Sequence, residues 1–343
     1  TDAFAESPEW GGSLVIFPFM YYETYGDDSL IKKYYPNMRR YVDYLKTRAD
    51  KGILSFGLGD WYDYGDFRAG FSRNTPVPLV ATAHYYMTVM YLVQAARMVG
   101  NDFDTRYYTS LAQDIMAAFN KCFLHKDTAQ YGTGSQCSNA LPLFLQMTQD
   151  ADEQGNYRPD ADLNEKVFAN LIKDVEAHGN RLTTGDVGNR YLIQTLARNG
   201  EHELIYKMFN HEEAPGYGFQ LKFGATTLTE QWDPRQGSSW NHFMMGQIDE
   251  WFFNSLVGIR PSTTTKQGYQ KFIIAPQPVG DLKYVKASYE TLYGTINVDW
   301  TCENGTFTLN VSVPVNTTAV VYLPGEKEPK EIQSGTYQLV CAK

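Results

Sequence analysis

The sequence predicts a mainly α-helical protein that ends in a small β-rich part. From Gly12 to Val257, apolar side chains recur at three- and four-residue intervals in segment after segment. After Lys271, short alternating runs are separated by turn signals such as Pro278–Gly280. We count about nine helices, and such a series of antiparallel helices favours a closed α/α barrel; a solenoid, the alternative, lacks a fixed repeat period here. We therefore expect a barrel over residues 1–262 and a small antiparallel β-sandwich over residues 263–343.

Each helix is predicted from its own apolar periodicity and from the residues that bound it. Gly26 ends the first helix, Asp28 can cap the second, and Gly100 stops the third. The predicted segments are Gly12–Tyr25, Asp28–Leu45, Pro78–Met98, Asp104–Phe123, Ser138–Met147, Leu163–Ala177, Gly188–Arg198, Glu201–Phe209 and Ser239–Val257.

The β-rich part contains the runs KFIIAP, LKYVKASYE, TINVDW, FTLNVSV and AVVYLP. They are short, alternating and bounded by turns, as expected for strands of a small sandwich. Two of the cysteines, Cys302 and Cys341, lie here and would pair if their strands were neighbours. Cys122 and Cys137 have no metal-binding spacing, so we expect no structural zinc.

Composition and charge exclude several classes of partner. The net charge is −9, and no basic surface is available to hold a phosphate backbone, so we expect no nucleic acid. No apolar run reaches the length needed to span a bilayer, so we expect no membrane anchor. Asp60, Asp63 and Asp66 do not have the register of a calcium loop, and no cofactor or metal is predicted. Aromatic residues make up 15% of the chain, which suits a carbohydrate protein or, alternatively, a large aromatic core.

Three loop segments pair a carboxylate with a tryptophan. They are Glu6–Gly12, Gly57–Gly65 and Gly224–Asp233, and Trp240–His242 follows the third. Glycoside hydrolysis needs two carboxyl groups, and apolar rings beside them hold the sugar and raise the pKa of the acid. These loops therefore predict a glycosidase, although any single pair is also typical of a surface turn or of a buried Trp bonded to an acid.

The motifs in these segments resemble the bacterial α-L-rhamnosidases of glycoside hydrolase family 78. GATTLTEQWDP with SSWNHFMMGQIDEWFFNSLVGIRP is similar to the family's late catalytic segment, and SPEWGGS resembles its PAWGDA-type loop. LVATAHYYMTVMYLVQAARMVG, RLTTGDVGNRYLIQTLARNG and KFIIAPQP follow in the family's order, so the resemblance covers the chain from about Trp10 to Leu323. It implies an (α/α)6 six-hairpin barrel, closed by a β-domain, that removes terminal L-rhamnose from plant or bacterial glycans and glycosides with inversion.

The resemblance also assigns roles at matched positions. Glu230 matches the general base, His242 the histidine that hydrogen-bonds rhamnose, and Trp10 and Trp61 the aromatic wall of the sugar pocket. Glu9, Asp60 and Trp232 belong to the same loops, and we expect them to contact the substrate as well. Thr229 and Gln231 depart from the family pattern TTxWERW, since this chain has TTLTEQW there.

The family's general acid has no match in this sequence. It lies upstream of the position of Trp10, in a segment resembling D-x-P-x-R-E-E-R-x-G-W-x-G-D that does not occur here. A full barrel also needs about twelve helices. Our hypothesis is that the chain is the C-terminal portion of a longer protein, with N-terminal barrel helices missing and the acid on that missing part as its partner. If the chain were complete, Glu9, Asp60 or Asp63 would have to replace the acid.

Two other functions stay open at this point. One is a non-catalytic sugar-binding protein that keeps the aromatic pocket without the acid. The other is a six-hairpin glycosidase for another sugar; a uronate would need a basic pocket, and only Arg68, Arg73 and Arg235 lie near the three loops. No secretion signal is visible, and the resemblance implies the periplasm or cytoplasm of a bacterium.

Overall fold

The computed structural model describes Phe4 and residues 6–151, 157–262 and 268–342. They form two compact units, each built from separate stretches of the chain. The first unit comprises Thr1–Ile16, Lys32–Asn199 and Lys207–Gln247; the second comprises Phe17–Ile31, Gly200–Tyr206 and Ile248–Lys343. The chain therefore enters the second unit three times.

The helices follow one another with short connections. Their bounds are α1 (Pro8–Gly11), α2 (Ser13–Tyr25), α3 (Ser29–Arg48), α4 (Val77–Met98), α5 (Asp102–Phe123), α6 (Gln136–Phe144), α7 (Ala161–Ala177), α8 (Gly188–Arg198), α9 (His202–Phe209), α10 (Tyr217–Lys222) and α11 (Ile248–Trp251). A π-helical turn, Phe252–Val257, extends α11. Within the described ranges, none of the helices has both the length and the apolar character that crossing a membrane requires.

Apolar periodicity explains how these helices pack in the first unit. On α3, the side chains of Tyr35, Met38, Val42 and Leu45 recur at three- and four-residue intervals and are all buried. Burying one such side chain contributes roughly 1.5–3 kcal/mol. Helix α4 is buried around most of its circumference, as expected of a central helix, and it packs against α5. Helix α6 packs against α7 and α8.

The predicted helices from Gly12 to Phe209 are confirmed as α2 to α9. The predicted helix Ser239–Val257 is wrong over its first half, where the structure has turns and a single 3₁₀ turn at Phe243–Met245. The backbone N–H of His242 donates to Leu228 O (3.0 Å), and the N–H of Glu230 donates to Ser239 O (2.9 Å). Because the backbone here pairs with the preceding loop, it does not form the bonds four residues apart that a helix requires.

The strands are concentrated in the second unit. Their bounds are β1 (Leu124–His125), β2 (Gln130–Tyr131), β3 (Gln149–Ala151), β4 (Tyr157–Pro159), β5 (Ile259–Pro261), β6 (Lys271–Ile274), β7 (Tyr284–Thr291), β8 (Gly294–Glu303), β9 (Thr306–Val313), β10 (Thr318–Val321), β11 (Lys330–Ile332) and β12 (Gly335–Ala342). Among the described residues, β5 to β12 form two four-stranded sheets in the orders β11-β10-β6-β5 and β12-β9-β8-β7. The second sheet is antiparallel throughout, whereas β10 pairs with β6 in parallel.

The second unit also contains α11 and the part of α9 up to Tyr206, and side-chain hydrogen bonds join these helices and the sheets. The indole of Trp251 donates to His202 Nδ1 (3.1 Å), and the N–H of Gly280 donates to the Glu203 carboxylate (3.0 Å). The indole of Trp300, buried on β8, donates to Leu256 O (2.9 Å). Residues far apart in the sequence therefore share one core with the sheets.

Cys302 and Cys341 lie on strands that are not neighbours. Both are in register with Phe307 of β9, Cys302 from one side and Cys341 from the other. Two strand spacings separate them by about 9.5 Å, beyond the Cα distance of ~7 Å that a disulfide spans. Both thiols are free.

Candidate active site

Glu9 anchors the loop of residues 57–65, which follows α3 in the first unit. Glu9 Oε1 accepts the N–H of Gly59 (3.1 Å), and the Ser7 hydroxyl donates to the same carboxylate. Ser7 Oγ in turn accepts the N–H of Leu58 (3.0 Å). Burial raises the pKa of Glu9 to about 7. The loop is therefore fixed to the turn of α1 that also carries the partly exposed Trp10.

Asp60 is buried at the N-terminus of α8. Its Oδ1 accepts the N–H of Gly188 (2.6 Å), the first residue of that helix. A carboxylate at this position satisfies a backbone donor that the helix leaves unpaired and lies at the positive end of its dipole. Burial raises the pKa of Asp60 to about 7. The side chain is closed off from solvent.

Trp61 and Tyr62 form the accessible part of the same loop. The Trp61 ring is partly buried and meets Phe4 and Phe71 edge to face, with ring centroids 5.5 Å and 5.3 Å away. Tyr62 has φ 58°, a left-handed conformation that non-glycine residues seldom adopt and that is concentrated at functional sites. Burial, followed by the negative charges of Glu230 and Asp186, raises the pKa of Tyr62.

Glu230 is the accessible carboxylate of these loops. Its Oε2 accepts the N–H of Ser239 (3.1 Å), and the side chain is 24% exposed. His242 Nε2 lies 4.0 Å from Glu230 Oε1. The backbone bonds from Glu230 to Ser239 and from His242 to Leu228 hold both side chains on one closed loop.

Thr229 and Gln231, the two departures from the family pattern, are buried inside this loop. Thr229 Oγ1 donates to Gln231 O (2.7 Å), and Gln231 Nε2 donates to Ser238 Oγ (2.9 Å). These hydrogen bonds stabilise the turn that carries Glu230, from the residue on each side of it.

Trp232 is buried beneath the loop. Its indole N–H donates to Thr184 O (2.9 Å), and its ring meets Tyr217 edge to face at 5.3 Å. In this position Trp232 joins the Glu230 loop to residues 183–188.

Asp186 is a site residue that the sequence reasoning missed. Its N–H donates to Trp61 O (2.7 Å), and its C=O accepts from Gln247 Nε2 (2.7 Å). The carboxyl is 2% exposed, and its Oδ1 has no hydrogen-bond partner among the described residues. Burial, then the charges of Asp60 and Glu230, raise its pKa to about 9, so it is protonated at neutral pH. The sequence offered no distinct signal for it, since Gly-Asp pairs also occur at Gly26–Asp27, Gly65–Asp66 and Gly280–Asp281.

The structure therefore joins three segments, residues 57–65, 183–188 and 228–247, and brings Glu230, His242, Tyr62 and Asp186 together. Asp63 does not belong to this group, since its Oδ2 accepts the N–H groups of Arg73 (2.7 Å) and Asn74 (2.6 Å), which lie between the loop of residues 57–65 and α4.

One arginine near the site loops is already paired with an acid. The Arg235 guanidinium is bound by Asp233 (2.8 Å), which holds the pKa of that carboxyl below its usual range. In the part of the chain that the structure describes, no three His, Cys, Asp or Glu side chains are grouped to hold a metal ion.

Family models match both parts of the chain. The bacterial alpha-L-rhamnosidase 6 hairpin glycosidase domain matches residues 1–256, and the bacterial alpha-L-rhamnosidase C-terminal domain matches residues 258–338. The chain belongs to the bacterial α-L-rhamnosidase family. Its fold class is thereby confirmed: a six-hairpin glycosidase domain followed by the family's C-terminal β-domain.

Known α-L-rhamnosidases match nearly all of this chain. One from Streptomyces avermitilis is 28% identical over 335 residues, which is 94% of this chain and 30% of the relative. The solved α-L-rhamnosidase of Dictyoglumus thermophilum has a TM-score of 0.86 and 30% identity, covering 98% of this chain and 40% of its own. The Streptomyces avermitilis enzyme complexed with L-rhamnose has a TM-score of 0.83 and 25% identity, with coverage of 97% and 33%.

The chain is much shorter than these relatives of the bacterial α-L-rhamnosidase family. It spans 30% to 38% of the length of the curated relatives it matches.

Proposed function

We propose that this chain carries the general base of an α-L-rhamnosidase active site. The complete site hydrolyses terminal L-rhamnose from glycans and glycosides with inversion. Glu230 accepts a proton from the water that attacks the anomeric carbon, while the bond to the leaving oxygen breaks and that oxygen is protonated by a general acid. The observation that carries the proposal is the accessible Glu230 carboxylate, held by Ser239 and 4.0 Å from His242, in a member of this family.

The exposure of the remaining site residues separates those proposed to contact the sugar from those proposed to position the loops. His242, Trp10 and Trp61 are partly exposed, which supports contact with the sugar. Asp60 and Trp232 are buried and bonded to backbone groups, and Glu9 holds the loop of residues 57–65. For these three we now propose a positioning role in place of the substrate contact expected from the sequence.

The protonated Asp186 keeps a second negative charge away from Glu230. Two carboxylates that lie close together cannot both ionise easily. Because Asp186 is neutral at pH 7, it adds no negative charge beside the proposed base, and its buried Oδ1 has no hydrogen-bond partner among the described residues.

The proposal also covers the source of the general acid, the division into domains and the location of the protein. We propose that the acid comes from a further N-terminal part of the same polypeptide; the greater length of the relatives supports this. The division into domains 1–262 and 263–343 and a periplasmic or cytoplasmic location stay predictions.

The test uses leaving groups of different basicity. Release of 4-nitrophenol from its α-L-rhamnoside is compared with release of 2,4-dinitrophenol, which leaves without protonation and so does not need the acid. We expect turnover of the dinitrophenyl glycoside by this chain, and a loss of at least about 10²-fold in Glu230→Gln. Glu328→Gln, at an exposed glutamate of the second unit, is the matched control.

Two outcomes would contradict the proposal. Binding of L-rhamnose without turnover of either glycoside would favour the non-catalytic sugar-binding protein. Turnover of another dinitrophenyl glycoside in preference to the rhamnoside would favour the glycosidase for a different sugar.

A further inference from the structure

A groove of about 500 Å³ lies between α3 and α5, built from residues that the proposed function does not use. Its volume falls within the range of ~300–1,000 Å³ that is usual for ligand pockets. α3 contributes Arg39, Asp43 and Lys46, and α5 contributes Phe103 and Tyr107. All of these residues belong to the first unit, and none comes from the loops around Glu230.

The floor of the groove is held rigidly. Asp104 is buried and accepts hydrogen bonds from the hydroxyl of Tyr35 (2.5 Å) and from Asn101 Nδ2 (2.8 Å), with Arg39 Nε at 3.2 Å. Tyr108 donates its hydroxyl proton to Asp43 Oδ1 (2.8 Å). A site fixed in this way loses little conformational entropy when a ligand binds.

Two aromatic rings form an exposed wall of the groove. Phe103 is 69% exposed and Tyr107 is 40% exposed, one helical turn apart on α5. Their rings are nearly parallel, with an interplanar angle of 7° and centroids 6.3 Å apart. Lys46 Nζ lies 4.9 Å from the centroid of the Tyr107 ring and covers part of it, so the open apolar surface of this wall is mainly that of Phe103. A fully packed core position would not leave a phenylalanine so exposed.

Polar groups of both signs surround this aromatic wall. Lys46 Nζ donates to the Tyr107 hydroxyl (2.6 Å), and Asp43 and Arg39 lie along the facing side of α3. The charges of Arg39 and Lys46 are balanced by those of Asp43 and Asp104, so the groove carries no net charge. A polyanion or a phosphate group would find no excess of positive charge here.

We propose that the α3–α5 groove is a second saccharide-binding site, which takes a neutral sugar unit of a glycan. The C–H face of a pyranose packs on apolar ring surfaces, and its hydroxyl groups need both donors and acceptors. The groove supplies the rings of Phe103 and Tyr107, the donor Lys46 and the acceptor Asp43. Such a site holds the chain on a polymeric glycan independently of the catalytic loops.

The test is an NMR titration of the Glu230→Gln chain, which does not turn the ligand over. The neutral probe is methyl α-L-rhamnoside, and tri-galacturonate is the anionic comparison. We expect amide shifts at Lys46, Phe103 and Tyr107 with the neutral probe, and at least fivefold weaker binding to the groove in Phe103→Ala and in Lys46→Ala. Tyr284→Ala, an exposed tyrosine on β7, is the control and leaves the groove affinity unchanged.

Three results would overturn the proposal. They are shifts confined to residues 228–242, an unchanged groove affinity in both variants, and binding of the galacturonate alone. Since the groove shares no residue with the candidate active site, loss of groove binding leaves the shifts at residues 228–242 in place. Failure of one site is therefore distinguishable from failure of the other.

Discussion

At the scale of single residues, the candidate site depends on how differently its carboxyl groups are placed. Glu230 is partly exposed and bonded to a backbone N–H, whereas Asp60 and Asp186 are buried and their pKa values are raised. Because burial penalises the charged form, the two buried aspartates keep their protons to a higher pH than an aspartate in water does. Sequence alone gave no means of assigning these states, since burial depends on residues more than 100 positions away, such as Gly188 beside Asp60.

His242 provides a test of sugar contact at this scale. In His242→Ala we expect the Kd for L-rhamnose to rise about three- to tenfold, because one hydrogen bond to a sugar hydroxyl contributes about 0.5–1.5 kcal/mol. Isothermal titration calorimetry on the Glu230→Gln background measures this change. Phe243→Ala, at the 83% exposed neighbour, is expected to leave the Kd within about twofold. Equal losses in the two variants would mean that His242 acts only through the shape of the loop.

At the scale of elements, the helices were predictable and the functional loops were not. The periodicity of α3 reports its buried face directly, as Tyr35, Met38 and Leu45 show. Residues Ser239–Val257 carry enough apolar side chains to resemble a helix, yet their backbone pairs with Leu228 and Glu230. A pairing between distant loop residues leaves no local periodicity to read.

Helix α8 offers a test of the role of Asp60. Asp60→Ala removes the acceptor for the N–H of Gly188, and we expect the free energy of unfolding to fall by about 0.5–2 kcal/mol. Asp60→Asn keeps an acceptor oxygen and is expected to keep most of that stability. Urea unfolding at pH 6 compares the two variants with Asp66→Ala, an exposed aspartate of the same loop. Equal stability of Asp60→Ala and Asp66→Ala would rule out the capping role.

At the scale of the whole molecule, fold class and order of parts were predictable, while sheet topology was not. Alternation identified the strands β6 to β10, but the order that places β9 between Cys302 and Cys341 follows from long-range pairing. The parallel pairing of β10 with β6 likewise joins strands more than 40 residues apart in the sequence. Of the candidate site, Glu230 and His242 were found through the family resemblance, and Asp186 was passed over because no tryptophan accompanies it.

Stability of the whole protein should depend on pH through its buried carboxyl groups. The pKa values of Glu9 and Asp60 are raised to about 7 and that of Asp186 to about 9. Above about pH 4 the folded state therefore binds more protons than the unfolded state. The stability that these bound protons provide is lost as the pH rises through 7 and then 9. Each group changes the free energy of unfolding by at most about 1.4 kcal/mol per pH unit.

Urea unfolding from pH 5 to pH 9 checks this dependence. We expect stability to decline across the range, and Asp186→Asn to decline less steeply because it has no proton to lose. Asp66→Asn, at an exposed position, should follow the unchanged protein. Stability that rises towards pH 9 would contradict the assigned protonation states.

The interleaved course of the chain has a consequence for how this protein evolves. Phe17–Ile31 and Gly200–Tyr206 belong to the same compact unit as Ile248–Lys343, and Glu203 and His202 bond to residues Gly280 and Trp251. A gene fusion or exchange near residue 257 would separate Glu203 from Gly280, and the segments Phe17–Ile31 and Gly200–Tyr206 from the sheets of their unit, although it would fall between two continuous family segments. The terminal sheets therefore cannot be transferred on their own. We expect related proteins to inherit them together with the helical segments that complete their core.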